Sequence, residues 1–167
     1  MKIFNASPLI LLLEEIEEPS LINLFSKLDK DLMVPERVNK EIISKKARDN
    51  LEELVSKGVI NICDNCSEDC FKLFQKRFPM LDDGELTVIS LAYETKRKDC
   101  GVIIDEFLGR NVATKLNLNL MGAFGLTLEL YKNKFIDLSK LKDICRKIDK
   151  SNFRINFKEL GYEWVIK

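Results

Sequence analysis

The 167-residue sequence contains no histidine. That absence removes Ser-His and Cys-His nucleophile pairs, imidazole general bases and His-ligated zinc. If the chain is a hydrolase, its polar machinery must be mostly carboxylate, whose oxygens suit Mg²⁺ or Mn²⁺. Net charge is missing too: Lys plus Arg equals Asp plus Glu at 27 each, so any nucleic-acid affinity must come from a local patch. The longest apolar run, Pro8 to Leu13, is far too short to span a bilayer. The amino terminus lacks a basic leader with a cleavage site, which predicts a cytoplasmic protein with no membrane partner. Five cysteines, an odd number, predict reduced thiols rather than a disulfide framework. There is no GxGxxG after a strand and no GxxxxGK[ST], which excludes the dinucleotide fingerprint and the P-loop. A phosphoacceptor receiver is excluded by the absence of an acidic pair after the first strand and of a lysine ending the last.

What is present fits one globular domain over residues 1–167, with 46% hydrophobic and 32% charged residues. Strand-like and helix-like segments alternate, which predicts a parallel sheet covered by helices on both faces. Strands are expected at Lys2–Phe4, Leu32–Val34, Val59–Ile62, Val102–Ile104 and Leu118–Met121. A helix is expected from Pro8, with Ser7 as N-cap and Pro8 in the first position. Others are expected over Leu21–Leu28, Ser67–Phe78, Glu85–Lys96, Leu108–Leu116 and Gly125–Lys134. Val38, Ile42, Leu51, Leu54 and Val55 recur at helical spacing, predicting one long helix from Pro35 to Lys57 that Gly58 stops. Leu138, Leu141, Ile144 and Ile148, then Phe157, Leu160 and Trp164, predict two further helices.

In open α/β sheets, ligands sit beyond the carboxyl ends of the strands where strand order reverses. Two strands end in a polar residue ahead of a helix, at Asn5 and Asp105, and a chain that builds outward and then jumps back would bring them together. Each acid also has a plain structural reading. Asp105 suits a helix N-cap, Asp82-Asp83-Gly84-Glu85 has capping-box spacing, and Glu41 on spacing alone reads as solvated. Together, three acids and an amide form a shell for a hard divalent ion, suited to phosphodiester hydrolysis. Without an ion, acids so close would repel, and at least one pKa would rise.

The stretches NASPLI at residue 5, VPERVNKEI at 34–42, LDDGELTVISLA at 81–92 and VIIDEFLGRNVATKLNLNLMGAFGLTLELYKNKFI at 102–136, in that order, resemble a PIN domain. The likeness is to a prokaryotic branch related to VapC-type toxin ribonucleases. It implies a three-layer α/β/α fold with a five-stranded parallel sheet over residues 1–136, and a carboxyl-terminal helical extension over 137–167 packed on that core. It also implies a metal-dependent endoribonuclease acting on single-stranded RNA, a homodimer, and a small antitoxin as partner. Asn5, Glu41, Glu85 and Asp105 match the catalytic, metal-binding positions for Mg²⁺ or Mn²⁺. Ser7, Glu106 and Arg110 match supporting positions, with Arg110 either meeting substrate or pairing with Glu106. The sequence departs from the pattern at Asn5, where the usual residue is an acid, and at Ala123, where many relatives carry Thr. An amide oxygen ligates without formal charge, and one unit charge at about 4 Å in an effective dielectric near 20 is worth on the order of 4 kcal/mol. The alternative is therefore a catalytically weak or inactive PIN-fold module that binds RNA or protein.

Cys63, Cys66 and Cys70 have a metal-like CxxCxxxC spacing but lack a complete ligand set, so burial as small hydrophobes is the expected role. Basic runs occur at Lys45-Lys46-Arg48, Lys96-Arg97-Lys98 and Arg146-Lys147-Lys150, and none is interleaved with aromatics as a stacking surface would be. Any RNA affinity should then be modest, with a shallow salt dependence.

Overall fold

The computed structural model describes residues 1–153 and 155–166. Its centre is a five-stranded, all-parallel sheet in the order β3-β2-β1-β4-β5, formed by β1 (Lys2–Phe4), β2 (Leu32–Pro35), β3 (Asn61–Cys63), β4 (Gly101–Ile103) and β5 (Asn119–Met121). Ile3, Phe4, Val102 and Ile103 are wholly buried, the mark of strands covered on both faces. Those covering layers come from α1 (Ala6–Ile10), α2 (Pro19–Phe25), α3 (Glu36–Glu41), α4 (Lys45–Ser56), α5 (Glu68–Arg77), α6 (Asp83–Thr95), α7 (Phe107–Lys115), α8 (Ala123–Lys132) and α9 (Leu138–Lys150). The result is a three-layer α/β/α arrangement.

The chain builds from β1 outward to β2 and β3, then returns to lay β4 against the other side of β1. Register pairs Lys2 with Gly101 and Phe4 with Ile103, and the Asn5 amide extends this ladder by donating to the Ile103 carbonyl at 2.9 Å. The switch point thus lies between the carboxyl ends of β1 and β4, as the alternation of elements implied.

Several boundaries differ from the sequence expectations. The first helix begins at Ala6, because Asn5 still belongs to the sheet ladder and itself takes the N-cap position; Ser7 is already inside the helix and Pro8 is not its first residue. This helix runs on into a π-helical turn, Leu11–Glu15. The expected helix from Pro35 to Lys57 is two helices: Ile42 leaves helical geometry at ψ 87°, and Ser44 caps α4 by accepting from the Ala47 amide at 3.2 Å. The third strand starts later than expected. Gly58, at φ +67°, lets its own amide and that of Val59 bond back to Val55 and Leu54 before the chain extends.

The periodicity of Leu141, Ile144 and Ile148 does form a helix, α9, whose buried stripe joins the core. That of Phe157, Leu160 and Trp164 does not: turns precede a single 3₁₀ turn at Glu163–Val165, with Leu160 and Trp164 exposed. This segment is pinned instead by ring packing. Phe124 of α8 meets Phe157 and Tyr162 edge-on, with ring centroids 5.1 and 5.2 Å apart. Among the described residues, no helix is long and apolar enough to cross a membrane.

Candidate active site

The crevice forms where β1 and β4 hand the chain to α1 and α7. Asn5 is 2% exposed, and its side-chain amide donates to Glu106 Oε2 at 3.2 Å. The bond spends the donor end of the amide and leaves Oδ1 buried without a partner. Asp105 Oδ1 accepts the Ala123 amide at 3.0 Å, while its Oδ2 is buried and unpartnered; Ser7 Oγ is the third such oxygen. Orphaned polar atoms are costly in a packed interior, so these three oxygens call for a partner from outside the chain, an ordered water or a cation.

The bond to Asp105 also explains why α8 starts at Ala123 rather than Gly125: the first free amide of the helix is satisfied by the acid that follows β4. A Cβ on Gly122 would collide with Asp105 Oδ1 and lie 3.0 Å from the Arg110 guanidinium. Position 123 contributes its backbone here, so an Ala serves for this contact as well as a Thr. Arg110 donates to the Ile104 carbonyl at 2.9 Å, bracing the peptide immediately before Asp105. That contact takes the place of the surface pair with Glu106 considered from the sequence.

Glu85 forms the capping box read from the sequence, and does more. Its Oε2 accepts from the Asp82 amide at 3.2 Å, and its Oε1 accepts from the Gly109 amide of α7 at 2.9 Å, so it fastens two helices at the crevice. Glu41 ends α3, and a Cβ built on Gly84 would lie 2.6 Å from both its carboxylate oxygens. The residue is exposed, yet its carboxylate lies against the Gly84 backbone and within reach of other acid charges.

Electrostatics follow from this crowding. Loss of water, then the charges of Asp82, Asp83, Glu106 and Glu85, push Glu41 up to about 7. Burial, with Glu106 adding repulsion, pushes Asp105 up to about 6 against the opposing pull of the Ala123 amide and Arg110. Glu85 is raised by burial and by Asp82. A crevice whose acids resist ionisation is electrostatically incomplete, and a cation would complete it.

Among the described residues, no three or more His, Cys, Asp or Glu side chains stand arranged to hold a metal ion. Mg²⁺ needs no such cage, since it keeps several waters and takes one or two carboxylates together with substrate oxygens. The open donors are all hard oxygens, so the residues fit that ion type, with Asp105 Oδ2 and Asn5 Oδ1 the free donors and Glu41 nearby. Glu85 contributes charge, but both its oxygens already serve backbone amides.

The cysteine trio packs beside α6. Cys66 is buried, and Cys70 donates to the Ser90 carbonyl at 3.7 Å. Burial pushes the Cys66 thiol up to about 11 and raises those of Cys63 and Cys70. The sequence did not reveal Asp82 and Asp83 as electrostatic neighbours of Glu41, nor Asn152, Phe153 and Ile155 as the wall over Ser7, Asp105 and Glu106. Glycines inside a capping box or directly after a short strand, Gly84 and Gly122, were the available signal for a close-seated acid.

An α/β/α fold with an acid-lined crevice at the switch point of its parallel sheet hosts many chemistries, so the fold by itself names none. A family model described as a PIN domain, DUF3368, matches residues 1–162, and the chain belongs to that family. No curated protein matches the sequence. PIN domains are generally nuclease-like, which accords with a carboxylate crevice.

Proposed function

We propose that the chain is a metal-dependent endoribonuclease that hydrolyses phosphodiester bonds of single-stranded RNA, using Mg²⁺ or Mn²⁺ held by Asp105 and Asn5 with Glu41 and Glu85 around them. The observation that carries this reading is the pair of open buried oxygens, Asn5 Oδ1 and Asp105 Oδ2, beside carboxylates that burial and mutual repulsion hold partly protonated. When bound, the cation supplies charge neutralisation at the phosphate and a more acidic water. The Ala123 amide fixes one Asp105 oxygen so that the other faces the crevice, and Arg110 holds the preceding peptide still. Glu106 turns the Asn5 amide so that its oxygen, not its nitrogen, is free. Glu41, at about 7, is suited to take a proton from an attacking water near neutral pH.

A second reading, a PIN fold that binds RNA or protein without cleaving it, is favoured by the neutral Asn5 and by the engagement of both Glu85 oxygens. Cleavage of labelled single-stranded RNA in Mn²⁺ or Mg²⁺ separates the two. Activity in the wild type that is lost in Asp105→Asn supports the nuclease; cleavage only in Asn5→Asp supports the binding module. Growth arrest on expression, relieved by a small cognate partner, is the expected behaviour if this nuclease is the toxin of a toxin–antitoxin pair.

A further inference from the structure

We infer that the cavity between α8 and the carboxyl-terminal segment is a nucleoside subsite, receiving an unstacked base of the RNA strand whose scissile phosphate lies at Asp105. This inference takes its ligand from the nuclease reading. The cavity has a volume of about 560 Å³ and opens beside Asp105 and Arg110. That size lies within the range of small-ligand sites, and suits one or two nucleosides rather than a duplex or a helix. Its walls include Phe124, Leu128 and Leu160, with Asn156 and Glu159 supplying an amide and a carboxylate. Apolar faces with a few polar groups are what an unpaired base requires: stacking on its rings, hydrogen bonds to its edge.

Phe107 borders the same cavity and is 75% exposed, an unusual position for a large apolar ring two residues after a site acid. As the first residue of α7 it is both exposed and part of the lining, so a base entering beside Asp105 can stack on it. Every base has a π-face, so stacking on such a ring tolerates any sequence, and it works together with cations along the backbone. Arg110 and Lys132 line the same cavity, a local source of positive charge in an electroneutral chain.

A second cavity, of about 230 Å³, is lined by Ser7, Glu106, Asn152 and Phe153. Asp105 and Ile155 border both, so the two cavities adjoin at the site acid and leave room for the strand beyond the bound base. The carboxyl-terminal segment then serves as a wall of the substrate path, anchored by Phe157 and by Asn152, which donates to both Glu15 oxygens at 3.1 and 3.2 Å.

The test titrates ribonucleoside monophosphates and a short single-stranded RNA against the Asp105→Asn protein, which is not expected to cleave. Binding is read by fluorescence of Trp164, the only tryptophan, whose ring centroid is 6.3 Å from that of the cavity residue Tyr162. Phe107→Ala should weaken binding roughly tenfold or more, while Phe107→Tyr retains it. Asn156→Ala should reorder the affinities of the four monophosphates. Equal affinity in Phe107→Ala and its parent, or nucleotides binding no tighter than inorganic phosphate, would overturn the subsite. Phe107-dependent binding by a wild type that cuts no RNA in Mn²⁺ would keep the subsite and remove the nuclease reading. Cleavage whose KM and base preference ignore both substitutions would do the reverse.

Discussion

Glu18 and Asp105 both hold carboxylates away from water, and the protein treats them in opposite ways. Glu18 is 6% exposed and sits against α9, where Lys140 and Lys147 donate to it at 2.8 and 2.5 Å. Burial works against its charge, but the two lysines outweigh burial and hold its pKa below the ordinary value. Asp105 has one amide donor and the nearby Arg110 guanidinium pulling its pKa down, but burial, with Glu106 adding like charge, pushes it up to about 6. The same fold therefore can match a buried acid with cations, and at the switch point it does not. Glu18 is paired within the chain, whereas Asp105 is left short of charge, as the proposed cation site requires.

The contrast can be broken most directly at the chemistry. Asp105→Asn should lower RNA cleavage by about 100-fold or more in Mn²⁺, while Glu18→Gln, at equal folded fraction, should leave the turnover of the folded enzyme unchanged. Asn5→Asp should raise Mn²⁺ affinity about tenfold, seen by titration calorimetry, a discounted share of the Coulomb energy of one added charge. Without metal the same change should destabilise, since a carboxylate at position 5 would face Glu106 and lose the amide bond to it.

Stability should then separate the two carboxylates by sign. Glu18→Gln should cost roughly 1–3 kcal/mol at pH 7, between the values for exposed and fully buried pairs, because the lysines keep partial solvation. Asp105→Asn in chelator should instead stabilise at pH 8, by on the order of 2 kcal/mol, by removing an unmatched charge. Because its folded pKa lies above the ordinary 3.8, at about 6, the stability linked to Asp105 is full below pH 3.8 and is lost as pH rises through 6. Glu18 is lowered from 4.5, so its contribution is present above that pH and lost as pH falls through the folded value. Urea titrations from pH 2.5 to 8 check both slopes, and excess Mn²⁺ should flatten the upper one. The smallest effect expected is that of Glu15→Ala, below about 1 kcal/mol, which removes the partner of Asn152 at an exposed position.

Much of the architecture was readable along the chain because it depends on local pattern. The runs Ile3-Phe4 and Val102-Ile103-Ile104 are buried on both faces, and a both-sided strand announces itself by continuous apolarity. The Asp82 capping box is local, and so is the amphipathic stripe of α9. Misreadings arose where a distant group altered a local rule. Ser7 lost its expected capping place because the Asn5 amide bonds to β4, and the expected long helix broke where Ser44, which also donates to Glu14, caps a new one. The last periodicity failed because Phe157 and Tyr162 answer to Phe124 rather than to a helical face.

Sequence alone determined that there would be no imidazole chemistry, that the sheet would be parallel with buried central strands, and that Asn5 and Asp105 would follow strands at its carboxyl edge. Residue identities and short-range periodicities suffice for those. Only the tertiary structure decided which oxygens stay open, that Glu85 fastens α7 while Glu41 leans on Gly84, and that a carboxyl-terminal segment walls the crevice beside Phe107. These rest on hydrogen bonds and burial between residues far apart in the chain, and an acid's charge state is set by whatever the fold brings to surround it.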